Sequence, residues 1–114
     1  MAALEDVVRV GRALSDRTRV RILAALAVKD LCVCELTALA SVGQPAVSRH
    51  LGILRAAGLV EDVREGKWVN YRLTRGDRTR FADAALRCLA GSLARDPDLR
   101  EVRRRAKSVD RSRL

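Results

Sequence analysis

Aromatic side chains are almost absent: the 114 residues hold one Trp, one Tyr and one Phe. That scarcity argues against single-stranded nucleic acid as a ligand, because such sites rely on aromatic platforms for base stacking. Histidine occurs once and proline twice. There is no Gly-rich phosphate loop and no convergent set of acids and bases, so nothing carries an enzymatic reaction. No run approaches the roughly 18 apolar residues that a membrane span needs. The opening MAALEDVVRV has acids where a signal peptide would place Lys or Arg before its apolar stretch. A cytoplasmic protein without a membrane partner is expected. Three cysteines are an odd count for that location, so a disulfide framework is not expected. Core residues, ligands and redox thiols all remain open for them.

What the chain has in excess is positive charge, net +9 with a pI near 10.9, and Arg far outnumbers Lys. Such a balance points to a polyanionic partner, since Lys and Arg displace the counterions condensed on nucleic acid. A membrane surface competes for that role, but no basic segment is joined to an aromatic, insertion-ready face. Double-stranded DNA is the partner the composition favours. The length predicts one domain, and one this small gains considerably from pairing with a copy of itself.

Leu4, Val7, Val8, Gly11 and Leu14 recur at helical spacing and predict a first amphipathic helix. Ser15 and Asp16 supply stop-and-cap chemistry before a second helix with Ile22, Leu23 and Leu26 on one face. A brief strand at Leu31-Cys32-Val33 leads into a short third helix, about 33–40. After the turn Ser41-Val42-Gly43, Pro45 suits the first turn of a fourth helix, where its missing N–H costs nothing. That helix runs to about Ala57 with Val47, Leu51 and Leu54 inward, and Gly58 closes it as a left-handed cap. The period then switches to strand: residues 59–64, a turn at Glu65-Gly66-Lys67, and residues 68–73 form a hairpin. A fifth helix is expected from about Asp77 to Arg95, with Phe81, Ala84, Ala85, Cys88, Leu89 and Ser92 on one face. Pro97 interrupts it, and the Arg-rich remainder reads as a short frayed helix or a disordered tail. The predicted fold is mainly α with a β-hairpin wing, a winged helix-turn-helix that dimerises through its N- and C-terminal helices. Residues 1–96 form that domain and 97–114 the tail.

In a helix-turn-helix, the N-terminal residues of the second helix meet base edges in the major groove. Gln44, Ser48 and Arg49 occupy that outward face: Gln can pair with adenine, Arg with guanine, Ser with either. Arg55 lies farther along, suited to phosphate. At the hairpin, Arg64, Lys67 and Arg72 can reach a flanking groove or the backbone. His50 falls between the inward rows, which fits a packed or phosphate-contacting side chain better than a metal ligand.

Cys32 and Cys34 sit at the entry to the first helix of the helix-turn-helix. A helix N-terminus lowers a thiol's pKa, and thiolates select soft ions: thiophilic metalloids, Cd, Pb, Cu(I) and also Zn. Residues two apart on a helix point about 200° around the axis, whereas in an extended segment they share a side. Chelation by both sulfurs is therefore expected to unwind the first helical turn and disturb the reading helix. Buried cysteine is common enough that core packing competes with this ligand reading. Cys88, on the apolar stripe of the fifth helix, favours core packing or a dimer contact.

The segments 31–36 (LCVCEL), 44–51 (QPAVSRHL) and 66–73 (GKWVNYRL) resemble the ArsR/SmtB family, and within it the arsenical-resistance repressors. The resemblance spans roughly residues 5–90. It implies a homodimer on an inverted-repeat operator before its own resistance operon, released when thiolates bind As(III) or Sb(III), with no organic cofactor. Cys32 and Cys34 map onto the metalloid-binding cysteines, and Ser48, Arg49 and His50 onto the recognition-helix signature. Where these repressors often carry a third cysteine, this chain has Thr37, so a third sulfur would be Cys88, an external thiol, or absent. Cadmium/lead sensors add N-terminal cysteines, and none precedes Cys32. The zinc-type site on the fifth helix looks missing, with Asp77 and Asp83 but no histidine. Two other readings stand: a repressor of the same fold answering to thiol oxidation or to Cd/Pb, and a non-regulatory thiol metal buffer. The buffer leaves the recognition helix and wing unexplained.

Overall fold

A computed structural model of the chain describes residues 3–75, 80–92 and 94–114. Helix α1 (Ala3–Leu14) ends at Ser15, whose hydroxyl donates to the Arg12 carbonyl at 2.8 Å. Asp16 then caps α2 (Arg17–Leu26): its backbone is extended and its carboxylate accepts the Arg19 N–H at 3.1 Å, satisfying one orphan donor of the first turn. Strand β1 (Leu31–Cys32) leads directly into α3 (Val33–Leu39), and α4 (Gln44–Ala56) follows with Pro45 in its first turn. Gly58, at φ +79°, ends α4. Its N–H bonds to the Arg55 carbonyl and that of Leu59 to the Leu54 carbonyl, both at 3.0 Å, the paired bonds of a Schellman motif. Leu54 and Leu59, which that motif brings together, are both fully buried.

Strands β2 (Val60–Glu65) and β3 (Trp68–Leu73) form the wing. Gly66 sits at φ +60° and Lys67 does not have positive φ, which is the pattern of a two-residue type II′ turn. The sheet has three strands, not the two of a simple hairpin. Its order is β1-β3-β2, with Leu31 opposite Tyr71 and Cys32 opposite Asn70. A strand of two residues is too short to show a period, so nothing in the spacing announces this pairing.

The core is built by Ile22, Leu23 and Leu26 of α2, Leu36 of α3, and Val47, Leu51 and Leu54 of α4, closed by Leu31, Leu59 and Val60. Burying each such side chain fully is worth about 1.5–3 kcal/mol. In α1 the buried residues are Val10 and Ala13; the stripe of Leu4, Val7, Val8 and Gly11 faces outward. Helix α5 (Arg80–Ser92) divides in the same way. Ala82, Ala85, Leu86 and Leu89 pack on the core while Phe81, Ala84 and Cys88 are exposed. The expected start of this helix at Asp77 and the side chain of Ser92 lie outside the described residues.

Pro97–Ser108 is neither frayed nor a tail. It forms α6, capped by Asp96, whose carboxylate accepts the Leu99 N–H at 3.1 Å. Leu99, Val102 and Ala106 repeat at helical spacing and are buried against α2 and α3. With only those three apolar residues in a row of arginines, overall polarity hides a narrow buried stripe. The chain closes with a 3-10 turn, Arg111–Arg113.

Candidate nucleic-acid interface and thiol site

Gln44, Ser48 and Arg49 project from the start of α4 and are exposed. Gly43 caps this helix and Pro45 stands in its first turn, so their register follows from the turn chemistry. Arg64 and Lys67 are exposed at the tip of the wing, with the Lys67 ammonium 5.5 Å from the Trp68 ring centre. These five form an outward basic and polar surface on two elements.

The other candidates are occupied within the fold. Arg72 Nε donates to Glu61 at 2.7 Å, and the two are direct cross-strand partners, so its charge braces the wing. Arg55 pairs with Asp62 at 3.3 Å, tying α4 to β2, though its side chain stays largely exposed. His50 is half-buried, with Nδ1 3.0 Å from Arg19 Nη1. A guanidinium only donates, so Nδ1 accepts and the ring proton sits on Nε2. The packed reading of His50 is the one this geometry fits. Arg19 itself is buried; its Nε and Nη2 donate to the carbonyls of Ala13 and Arg12, each at 2.9 Å. It thereby caps the C-terminus of α1 and, through His50, holds it to α4. A charged residue in the first turn of α2 gave no sequence signal for that role.

Cys32 is the N-cap of α3, with extended backbone (φ −86°, ψ 170°), and Cys34 is the second helical residue. Their sulfurs lie 2.9 Å apart with the helix fully formed. The expectation that both thiols can meet only if the first turn unwinds is therefore wrong. Cys32 stands outside the helix, and an extended cap residue aims its side chain back over the first turn, where Cys34 projects.

The expected lowering of the thiol pKa fails too, at Cys32. Burial pushes this thiol up to about 11, and its hydrogen bond with Cys34 adds to the rise. The Glu35 N–H at the helix N-terminus pulls the other way but is outweighed, and the Glu35 carboxylate adds to the increase. In the closed fold Cys32 is a thiol at neutral pH.

Glu35 is buried and had no assigned role in the sequence, although the third helical position after a cap is where a capping-box carboxylate belongs. Its Oε1 accepts the Cys32 N–H at 2.9 Å and its Oε2 the Arg111 N–H at 3.2 Å. Thr37, three residues after Cys34, donates its hydroxyl to the Val33 carbonyl at 2.8 Å. Cys88 is exposed on α5. Among the described residues, no three His, Cys, Asp or Glu side chains are placed to share an ion, so the structure does not bring Cys88 to the pair within one chain. Asp83 pairs with Arg87 at 3.1 Å, and Asp77 lies outside the described residues.

Residues 16–62, from the cap of α2 into the wing, match the bacterial regulatory protein, arsR family. The fold matches the homodimeric winged helix-turn-helix DNA-binding domain Mb0332 from Mycobacterium bovis, described as a possible ArsR-family transcriptional regulator. The TM-score is 0.65 and the identity 34%, over 78% of this chain and 82% of that one. The chain belongs to the arsR family. This is a class of transcriptional regulators and not of enzymes. Its members include the arsenic resistance transcriptional regulator ArsR1 of Pseudomonas putida, 49% identical over 56% of this chain and 51% of the relative. The arsenical resistance operon repressor of Escherichia coli is 43% identical over 59% of this chain and 58% of the relative. The chain thus spans little more than half the length of these curated relatives. The solved cadmium metal-sensor CMTR from Mycobacterium tuberculosis is 38% identical, with a TM-score of 0.59 over 77% of this chain and 84% of that one. The winged helix-turn-helix expectation holds, and the arsR match contains Arg19, both cysteines of the pair and the whole of α4. Among the described residues, no helix is long and apolar enough to cross a membrane.

Proposed function

We propose that this arsR-family chain is a cytoplasmic, metalloid-responsive repressor that binds operator DNA as a homodimer and leaves it when As(III) or Sb(III) binds Cys32 and Cys34. The observation that carries this reading is the pair of sulfurs 2.9 Å apart at the N-terminus of α3, the helix that packs directly on the reading helix α4. Two soft donors and no nitrogen ligand suit a thiophilic ion. Binding replaces both thiol protons and fixes the cap to the first turn of α3. Gln44, Ser48 and Arg49 read bases, while Arg64 and Lys67 hold the flanking backbone. A third sulfur, where one is used, comes from an external thiol or from Cys88 of the second copy, since the described residues of one chain do not unite all three.

The dimer is supported by the outward apolar stripe of α1, where Leu4 is 73% and Val8 53% exposed, beside Phe81 of the adjoining α5. The test is fluorescence anisotropy on duplex DNA from upstream of the gene, titrated with arsenite under reducing conditions. Release at low micromolar arsenite is expected. Cys34→Ser should bind DNA as the parent does and fail to release. A Cys34→Ser protein that still responds fully would remove the thiol pair as the sensor. The cadmium sensor among the relatives favours Cd as the second reading, and release by Cd with indifference to arsenite would establish it.

A further inference from the structure

Three elements distant in sequence converge at Arg111. Its backbone N–H donates to Glu35 Oε2 at 3.2 Å, and the other oxygen of the same carboxylate holds the Cys32 N–H at 2.9 Å. Its guanidinium reaches the wing: Nη1 donates to Asn70 Oδ1 at 3.1 Å and Nη2 to Glu65 Oε1 at 2.8 Å, while the group lies 4.5 Å over the centre of the Trp68 ring. Asn70 is also the residue opposite Cys32 in the β1–β3 ladder. The planar fork and the stacked face are both in use, which a lysine ammonium could not reproduce.

The turn that carries Arg111 is anchored on several sides. Asp110 accepts the Ser112 N–H at 2.9 Å, and Lys29 donates to the Val109 carbonyl at 2.9 Å. Arg105 of α6 donates to the carbonyls of Ala38 and Leu39 at the far end of α3. The C-terminal segment thus grips α3 at both ends and the wing at its tip.

We propose that Arg111 is the positioning residue that couples the thiol pair to the wing, so that loading Cys32 and Cys34 displaces the wing through Glu35 and Arg111. The coupling gains its regulatory meaning from the repressor reading above. The geometry gives it a cause. Loading replaces the Cys32–Cys34 hydrogen bond with two bonds from sulfur to the bound atom, a change made at the cap residue itself. The backbone N–H of that cap residue is held by the same carboxylate that holds Arg111, so a shift of the cap is passed to the turn that grips the wing.

Trp68 is the only tryptophan, so its emission reports on the wing alone. The probe is phenylarsine oxide, which bridges two thiols with loss of water, titrated into the full chain while binding is counted by thiol assay. In the parent, one equivalent should shift Trp68 emission. In Arg111→Ala, one equivalent should still bind and the shift should fall at least fivefold. The pair Glu65→Gln with Asn70→Ala, which leaves the Arg111–Glu35 bond in place, should lose it likewise. An undiminished shift in both variants overturns the coupling, and so does a silent Trp68 in the loaded parent. Operator anisotropy on the same samples separates the two ideas. DNA binding indifferent to the arsenical, with an Arg111-dependent Trp68 shift, sinks the repressor reading and leaves the coupling standing.

Discussion

At Cys32 two local effects of opposite sign meet, the helix N-terminus favouring thiolate and burial favouring thiol, and burial wins. Asp16 shows the other outcome. Its carboxylate is partly exposed, and the Arg19 N–H it accepts holds its pKa below the usual 3.8. A carboxylate whose folded pKa is depressed contributes stability that is present above the unfolded value and lost as pH falls through the folded one. Asp16→Ala should therefore cost about 1 kcal/mol at neutral pH. Thermal melts of the two proteins should converge below pH 3.8; a gap constant across pH would mean the carboxylate's charge does not matter. On the reading helix, Arg49 is the exposed residue best suited to guanine. Arg49→Ala should weaken binding to the specific duplex by about 1–3 kcal/mol, roughly 5- to 150-fold, with little effect on random duplex. Equal losses on both would reassign it to phosphate.

Helix α4 and the wing were legible because several independent signals agree there: inward Val47, Leu51 and Leu54, Gly58 at the cap, Gly66 at the turn. Their side chains need no knowledge of a distant partner. Helix α6 was not legible, because Leu99, Val102 and Ala106 acquire meaning only from the surface α2 and α3 offer them. The start signals Asp96 and Pro97 were present, and composition outweighed them. At the thiol site the residue types were readable but not their approach, which depends on Cys32 sitting one residue outside the helix. The capping bond of Glu35 to Cys32 is local and was readable from its position, whereas the links of Glu35 to Arg111, of Arg19 to His50 and of Arg111 to the wing join residues far apart in sequence. If α6 is part of the core, Leu99→Ala should destabilise the protein by about 2–3 kcal/mol, visible as a lowered midpoint in urea. A dispensable tail would leave the midpoint unchanged.

Taken whole, the molecule places its candidate DNA-contacting side chains and its most exposed apolar stripe on different elements. Arg64, Lys67 and Arg49 are exposed on the wing and α4, whereas Leu4, Val7, Val8 and Phe81 are exposed on α1 and α5, which pack on each other. A monomer left in water with that apolar stripe would be prone to association. A two-fold pairing through it covers the stripe and sets two reading helices at a fixed separation, as an inverted-repeat site demands. Val8→Glu tests this without touching the core, since Val8 is 53% exposed and the buried face of α1 is Val10 and Ala13. A glutamate covered by such a pairing would lose its solvation without gaining a partner. Light scattering should then report the mass of one chain where the parent gives two, with the circular dichroism spectrum unchanged. Affinity for a two-half-site operator should fall at least a hundredfold, while affinity for a single half-site stays within about threefold, because only the second contact made at high effective concentration is lost. A dimer that survives the substitution would place the interface elsewhere and leave the stripe on α1 unexplained.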